Sequence, residues 1–119
     1  MTGDPPPCSR GEIWLLDWNP RRGSEKGGFR PGVIVQSDLG NHAEGARTTA
    51  VVPLTTQGRA YVFYVPVPKS NDNGLLSDSW ANATQIFTVD KARLVKRLGK
   101  ATPTQMKALA RALQSILEL

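Results

Sequence analysis

Apolar positions in this chain recur mostly in short runs and alternations, and only the C-terminal stretch repeats them at helical spacing. Ile13, Trp14, Leu15 and Leu16 form a β-rich run within Arg10 to Trp18 that ends at the turn signal Asn19-Pro20, which predicts a first strand. Val33-Ile34-Val35, within Gly32 to Gln36, predicts a buried strand, and Thr48 to Leu54, centred on Val51 and Val52, predicts another. Tyr61 to Val67 is the clearest alternation: Tyr61, Phe63, Val65 and Val67 share one face, and Val62, Tyr64 and Pro66 the other. Pro66 and Pro68 put that strand at an edge or near its end. Ala83 to Val89 and Arg93 to Leu98 supply the last strand candidates. Thr102 then reads as a helix N-cap, with Pro103 at the first helical position and Gln105 completing a capping box. Met106, Leu109, Ala110, Leu113, Ile116 and Leu117 follow at three- and four-residue spacings and make one apolar stripe.

The segments between these runs carry a different composition. Asn19 to Pro31 holds Gly23, Gly27, Gly28, two prolines and four basic residues without apolar period, which predicts a long exposed loop, mobile from Asn19 to Phe29. Asp38 to Arg47 is polar and expected outside the core, and Lys69 to Gly74 is rich in turn residues. Met1 to Ser9, with Pro5-Pro6-Pro7, is expected to be a flexible arm, leaving residues 10–119 as one domain. The pattern predicts a mainly β fold with a C-terminal helix, built as a small, strongly bent antiparallel sheet or barrel.

Charge and composition narrow the function. Fifteen Lys and Arg against ten Asp and Glu give a net charge of +5 in 119 residues, and a small basic domain attracts polyanions. Arg21, Arg22, Lys26 and Arg30 form one basic group, and Lys91, Arg93, Lys96, Arg97 and Lys100 a second. No apolar run approaches the roughly 20 residues that span a bilayer, and the N-terminus lacks the apolar centre of a signal peptide, so no membrane association and a cytoplasmic location are expected. The single cysteine, Cys8, reads as an incidental thiol in the arm. Trp14, Trp18 and Trp80, with the apolar helix stripe, exceed what one modest core absorbs, which favours a two-fold dimer over a monomer that buries all three.

Familiar hydrolase arrangements do not fit. One histidine, His42, is too few for a two-histidine phosphodiester site or a zinc cluster, and it is given no role. Asp38 and Glu44 read as a solvated carboxylate pair rather than a divalent-ion site. Gly23, Gly27 and Gly28 lead into a strand and not a helix, against a phosphate-binding loop. No cofactor or metal is therefore expected. Arginine and hydroxyl chemistry remains, and it suits RNA, which carries its own nucleophile in the 2′-OH. Arg30, at the base of the glycine-rich loop, can grip a phosphate with its forked donors. Thr55, where the Val51 to Leu54 strand ends, can add a hydroxyl donor. A solvated loop arginine and a turn threonine are the competing readings.

Three ordered blocks resemble a known family. Arg10-Gly11-Glu12-Ile13-Trp14, Asn19-Pro20 and Gly23-Ser24-Glu25-Lys26-Gly27-Gly28-Phe29-Arg30-Pro31, running into Gly32-Val33-Ile34-Val35, resemble the opening of MazF/PemK-type toxins. Val52-Pro53-Leu54-Thr55-Thr56 resembles the second block. Ala83-Thr84-Gln85-Ile86 and Val89-Asp90-Lys91-Ala92-Arg93-Leu94 resemble the third. The resemblance spans Arg10 to Leu119. It implies an SH3-like barrel with a C-terminal helix, a homodimer with a groove for single-stranded RNA, and an endoribonuclease toxin held in check by a cognate antitoxin. It implies sequence-specific, metal-independent cleavage that leaves a 2′,3′-cyclic phosphate and a 5′-OH. By the same resemblance Arg30 and Thr55 are catalytic, and Ser24, Glu25 and Gln85 line or support the site. A guanidinium with a pKa above ~12 favours an electrostatic role for Arg30 over proton transfer. Arg21, Arg22 and Lys26 are expected to add salt-dependent phosphate contacts. Many relatives carry arginine directly after the Gln-Ile pair; here Phe87 stands there, expected to pack in the core rather than stack on a base. Two other classes remain: a gyrase-poisoning toxin of the CcdB type, whose C-terminal Trp-Gly-Ile ending is replaced here by Ile116-Leu117-Glu118-Leu119, and a non-catalytic RNA-binding module.

Overall fold

The computed structural model describes residues 4–19 and 28–119. The chain runs β1 (Glu12–Asp17), β2 (Phe29–Ile34), a single helical turn α1 (Asp38–Asn41), β3 (Thr48–Thr55), β4 (Tyr64–Val67), β5 (Ser79–Asn82), β6 (Phe87–Asp90), a 3-10 turn (Lys91–Arg93), β7 (Leu94–Lys100) and α2 (Pro103–Leu117). Every strand pairing is antiparallel. The sheet path is β4-β5-β3-β2-β1-β7, with β6 joined to β3 beside it. The expected mainly β architecture with a C-terminal helix is present. Its strands make a bent, open sheet, because among the described residues the path ends at β4 and β7 without closing a barrel.

Alternation along the central strands sends successive side chains to two cores. Ile13, Val33, Val35, Val52 and Leu54 join Val65, Val67, Ala81, Leu109 and Ala112 in one cluster. Trp14, Leu16, Ile34 and Val51 join Cys8, Val89 and Leu94 in the other, with Trp18 packed against it. Strands covered on both faces explain the unbroken Val33-Ile34-Val35 run. Helix α2 packs against β4. Its capping box forms as expected, Thr102 Oγ1 accepting from Gln105 N at 3.0 Å and Gln105 Oε1 from Thr102 N at 2.9 Å. The apolar stripe holds only through Met106, Leu109 and Leu113, since Ile116 and Leu117 in the last turn are exposed.

Several expectations change. Phe29, Arg30 and Pro31, read as loop, are strand residues in β2, held by the β1 register that pairs Asp17 with Phe29 and Leu16 with Arg30. Gly28, at φ 87°, closes this hairpin as its N–H donates to Asn19 Oδ1 at 2.6 Å. The expected mobility of the intervening segment falls on residues 20–27, which lie outside those described. The strand expected from Tyr61 begins only at Tyr64, whose N–H folds back to Tyr61 O at 2.9 Å. Only part of the candidate strand Ala83 to Val89 is strand: Phe87 to Val89 lie in β6, while Ala83 to Ile86 turn between β5 and β6, where Asn82 Oδ1 accepts from Thr84 N at 3.1 Å and from Thr84 Oγ1 at 2.6 Å.

The polar stretch Asp38 to Arg47 contributes a buried hub. Asn41 is 3% exposed; its Oδ1 accepts from Thr49 Oγ1 at 2.7 Å, and its Nδ2 donates to Gln36 O at 2.9 Å and to Asp38 Oδ1 at 3.0 Å. The Asn41 carbonyl accepts from Lys91 Nζ at 2.7 Å, so this buried lysine is structural. Cys8, expected in a free arm, is 2% exposed beside this hub. Burial pushes its thiol pKa up. Of the tryptophans, Trp14 is buried, and Trp18 and Trp80 are half-buried.

Candidate functional site

Strand β3 is the frame of the site because it changes partners along its length. Thr48 to Val51 pair with β6, Val51 to Pro53 with β2, and Leu54 and Thr55 with β5. The β2 register sets Gly32 opposite Pro53, and continuing it two residues brings Arg30 opposite Thr55. Both therefore sit where the sheet bends away to β5, and both line a cleft of about 530 Å³ with Trp18, Gln57, Tyr64, Asn82, Gln85 and Phe87. A smaller concavity of about 360 Å³ continues from Arg30, Thr55 and Gln57 to Thr56 and Ser79.

The side chains are prepared for anion chemistry. Thr55 Oγ1 accepts from Gln57 N at 3.1 Å, which directs the hydroxyl proton elsewhere as a donor. Arg30 is exposed, and among the described residues no carboxylate lies within ion-pair distance of it. Its main chain is anchored, since Trp18 Nε1 donates to Arg30 O at 3.0 Å. Gly32 permits this arrangement: a Cβ there would meet Leu16 at 3.1 Å, the Val52 carbonyl at 3.3 Å and the Trp18 ring at 3.5 Å. An exposed guanidinium fork and a hydroxyl donor, flanked by the amides of Gln57, Asn82 and Gln85, can hold a phosphodiester and the bases beside it.

Arg30, Thr55 and Gln85 are thus brought together as the sequence suggests. Ser24, Glu25, Arg21, Arg22 and Lys26 lie outside the described residues. Phe87 differs from its expected place in the core: it is 43% exposed, with its ring edge-to-face on Trp18 at 5.3 Å. Trp18, Gln57, Tyr64 and Asn82 carried no functional reading in the sequence. Tyr64 had a signal, lying on the face of its strand opposite the core residues Val65 and Val67, and Asn82-Ala83-Thr84 is a recognisable side-chain turn.

The second basic group does not form one patch. Lys91 is spent in the core, and Arg93 donates to Asp17 O at 2.9 Å and Asn19 O at 2.8 Å. Arg97 pairs with Glu12 at 3.1 Å. Asp38 is likewise occupied: donation from Asn41 and from the Arg10 backbone holds its carboxyl below the usual range. Among the described residues, no three His, Cys, Asp or Glu side chains converge as metal ligands. No helix among the described residues is long and apolar enough to cross a membrane.

The chain is thus a bent, open antiparallel sheet with a C-terminal helix, and an arginine and a threonine line one polar cleft in it. The family model for the PemK-like, MazF-like toxins of type II toxin-antitoxin systems matches residues 9–117, and the chain belongs to that family. It is 35% identical over 114 residues to Endoribonuclease MazF9 of Mycobacterium tuberculosis, covering 92% of this chain and 96% of that protein. It is 34% identical over 110 residues to Endoribonuclease MazF of Staphylococcus saprophyticus, covering 92% and 91%. Among solved structures, an endoribonuclease in complex with its cognate antitoxin from a mycobacterial species superposes with a TM-score of 0.76 at 28% identity, covering 94% of this chain and 96% of that one.

Proposed function

We propose that this chain is a sequence-specific, metal-independent endoribonuclease that cleaves single-stranded RNA in the Arg30–Thr55 cleft. The observation that carries the reading is that these two side chains line one cleft just beyond the end of the β2–β3 ladder, with amide-bearing neighbours. The 2′-oxygen of the substrate attacks the adjacent phosphorus and loses its proton, the bond to the 5′-oxygen breaks, and that oxygen gains a proton. A 2′,3′-cyclic phosphate and a 5′-OH result. Arg30 stabilises the charge that builds on the phosphorane oxygens, and the Thr55 hydroxyl donates to the same group. Gln85, Gln57 and Asn82 hold the bases in place. Ser24 and Glu25 are proposed to support the site, with Arg21, Arg22 and Lys26 supplying salt-dependent affinity.

The functional unit is proposed to be a homodimer whose cytoplasmic activity a cognate antitoxin restrains. An acidic, partly disordered segment that folds onto the cleft and excludes RNA fits the net charge of +5 on the chain. The complex of the mycobacterial neighbour with its own antitoxin supports this reading by family. Purified protein incubated in EDTA with single-stranded RNA and, separately, with DNA tests the chemistry. Cleavage of RNA alone, with 5′-OH ends, is the expected result; a requirement for magnesium or manganese would overturn the metal-independent mechanism.

A further inference from the structure

We infer that Phe87 is a stacking platform for one nucleobase beside the scissile phosphate, and that it helps determine which RNA site is accepted; this rests on the RNA-cleaving reading above. Strand β6 fixes the residue, pairing Val89 with Thr49 and Phe87 with Val51. Period-two alternation gives Val89 and Phe87 the same face. Val89 is buried in the second core, whereas Phe87 continues that face past Trp18 into the cleft and is 43% exposed. Its contact with Trp18 is edge-to-face, with ring centroids 5.3 Å apart and planes at 66°, so packing on Trp18 does not use up both faces of the Phe87 ring. Trp18 is itself held by the bond from its Nε1 to Arg30 O. The aromatic wall and the phosphate-binding arginine are therefore joined through one strand end.

An aromatic ring left half in water at the rim of a polar cleft is placed for a ligand that has both a flat apolar face and hydrogen-bonding edges. A nucleobase has both. Arg30 and Thr55 in the same cleft suit the phosphate attached to that nucleotide. Asn82 suits the base edge, since it lines the cleft and its Oδ1 already accepts from Thr84, which leaves Nδ2 as the donor it has to offer. An apolar side chain of a protein partner would use the ring but not the amides, which makes RNA the better occupant.

The test uses the full chain and an RNA that carries the wild-type cut site, with variants Phe87→Ala, Phe87→Leu and Phe87→Trp. Removing the π-face by either Ala or Leu is expected to raise KM about tenfold, the usual worth of one base stack, and to leave kcat within about twofold. Phe87→Trp is expected to restore KM. The same RNA made abasic at each nucleotide flanking the cut supplies a readout that a structural role would not move. At one position, loss of the base should raise the wild-type KM about tenfold and leave the KM of Phe87→Ala unchanged. Equal penalties for wild type and Phe87→Ala at every abasic position would overturn the inference. So would Leu performing as well as Phe, or RNA kinetics unchanged in a variant that loses affinity only for an acidic peptide. A wild-type chain that cuts no RNA would remove the functional reading itself and this inference with it.

Discussion

At the scale of single residues, the two groups assigned to chemistry stand apart from those that hold the fold. Arg30 is exposed and Thr55 half-buried, and neither belongs to a core cluster. Arg30→Ala and Thr55→Ala are each expected to lower the saturated cleavage rate by about 10²- to 10³-fold, as loss of one transition-state donor does. Thermal melts of Arg30→Ala should stay near wild type, and activity near wild type in either variant would remove the site assignment. Cys8 behaves in the opposite way, as a structural group. Burial raises its pKa, so near pH 8 the native thiol stays protonated and enclosed. A coloured disulfide reagent is expected to label it far more slowly in native protein than in guanidinium chloride. Equal rates would mean that the segment around Cys8 does not pack against the Asn41 hub.

At the scale of elements, tight backbone contacts matter more than caps. A Cβ on Gly99 would collide with the Asp72 carbonyl and the Asn73 backbone, where β7 crosses the turn after β4. Neither backbone is a flexible side-chain end, so Gly99→Ala should cost about 1–3 kcal/mol in denaturant melts, like other overpacked sites. Thr102→Ala removes the α2 cap and should cost about 1 kcal/mol. A Gly99→Ala variant as stable as wild type would contradict the close approach. The same contrast marks what was legible in the sequence. Local rules found the capping box, the edge strand with Pro66 and the apolar centre of β3, because each is decided by neighbours a few residues away. The start of β2 at Phe29 depends on its ladder with β1, which glycine-rich composition conceals. The turn that divides β5 from β6 is set by one Asn82 side chain. Arg30 and Thr55 were named as a pair through family resemblance, since solvated loop readings would otherwise compete with them. Their juxtaposition needs the β2–β3 register, and the exposure of Phe87 needs the position of Trp18.

At the scale of the whole molecule, apolar surface is also left exposed outside the Arg30–Thr55 cleft. Phe29 and Leu76 are exposed at a groove that also includes Leu15, Pro31, Lys96 and Leu98. A surface of this kind is consistent with the proposed two-fold dimer. Sedimentation at micromolar concentration is expected to give twice the chain mass, and a clean 12.9 kDa species would contradict a dimeric functional unit. The order in which the sheet can close has a further consequence. Strand β1 lies between β2, its near neighbour in sequence, and β7, which follows most of the chain. Arg93, just before β7, ties down the carbonyls of Asp17 and Asn19 on either side of Trp18. Pairings this distant in sequence form late. A chain ending at Arg93 is accordingly expected to show neither a cooperative melt nor RNA cleavage, and activity in that fragment would show that the cleft does not need β7. During translation, a ribosome would then hold a chain without a finished cleft for most of its synthesis, and the fold would close only as the last strand and helix emerge.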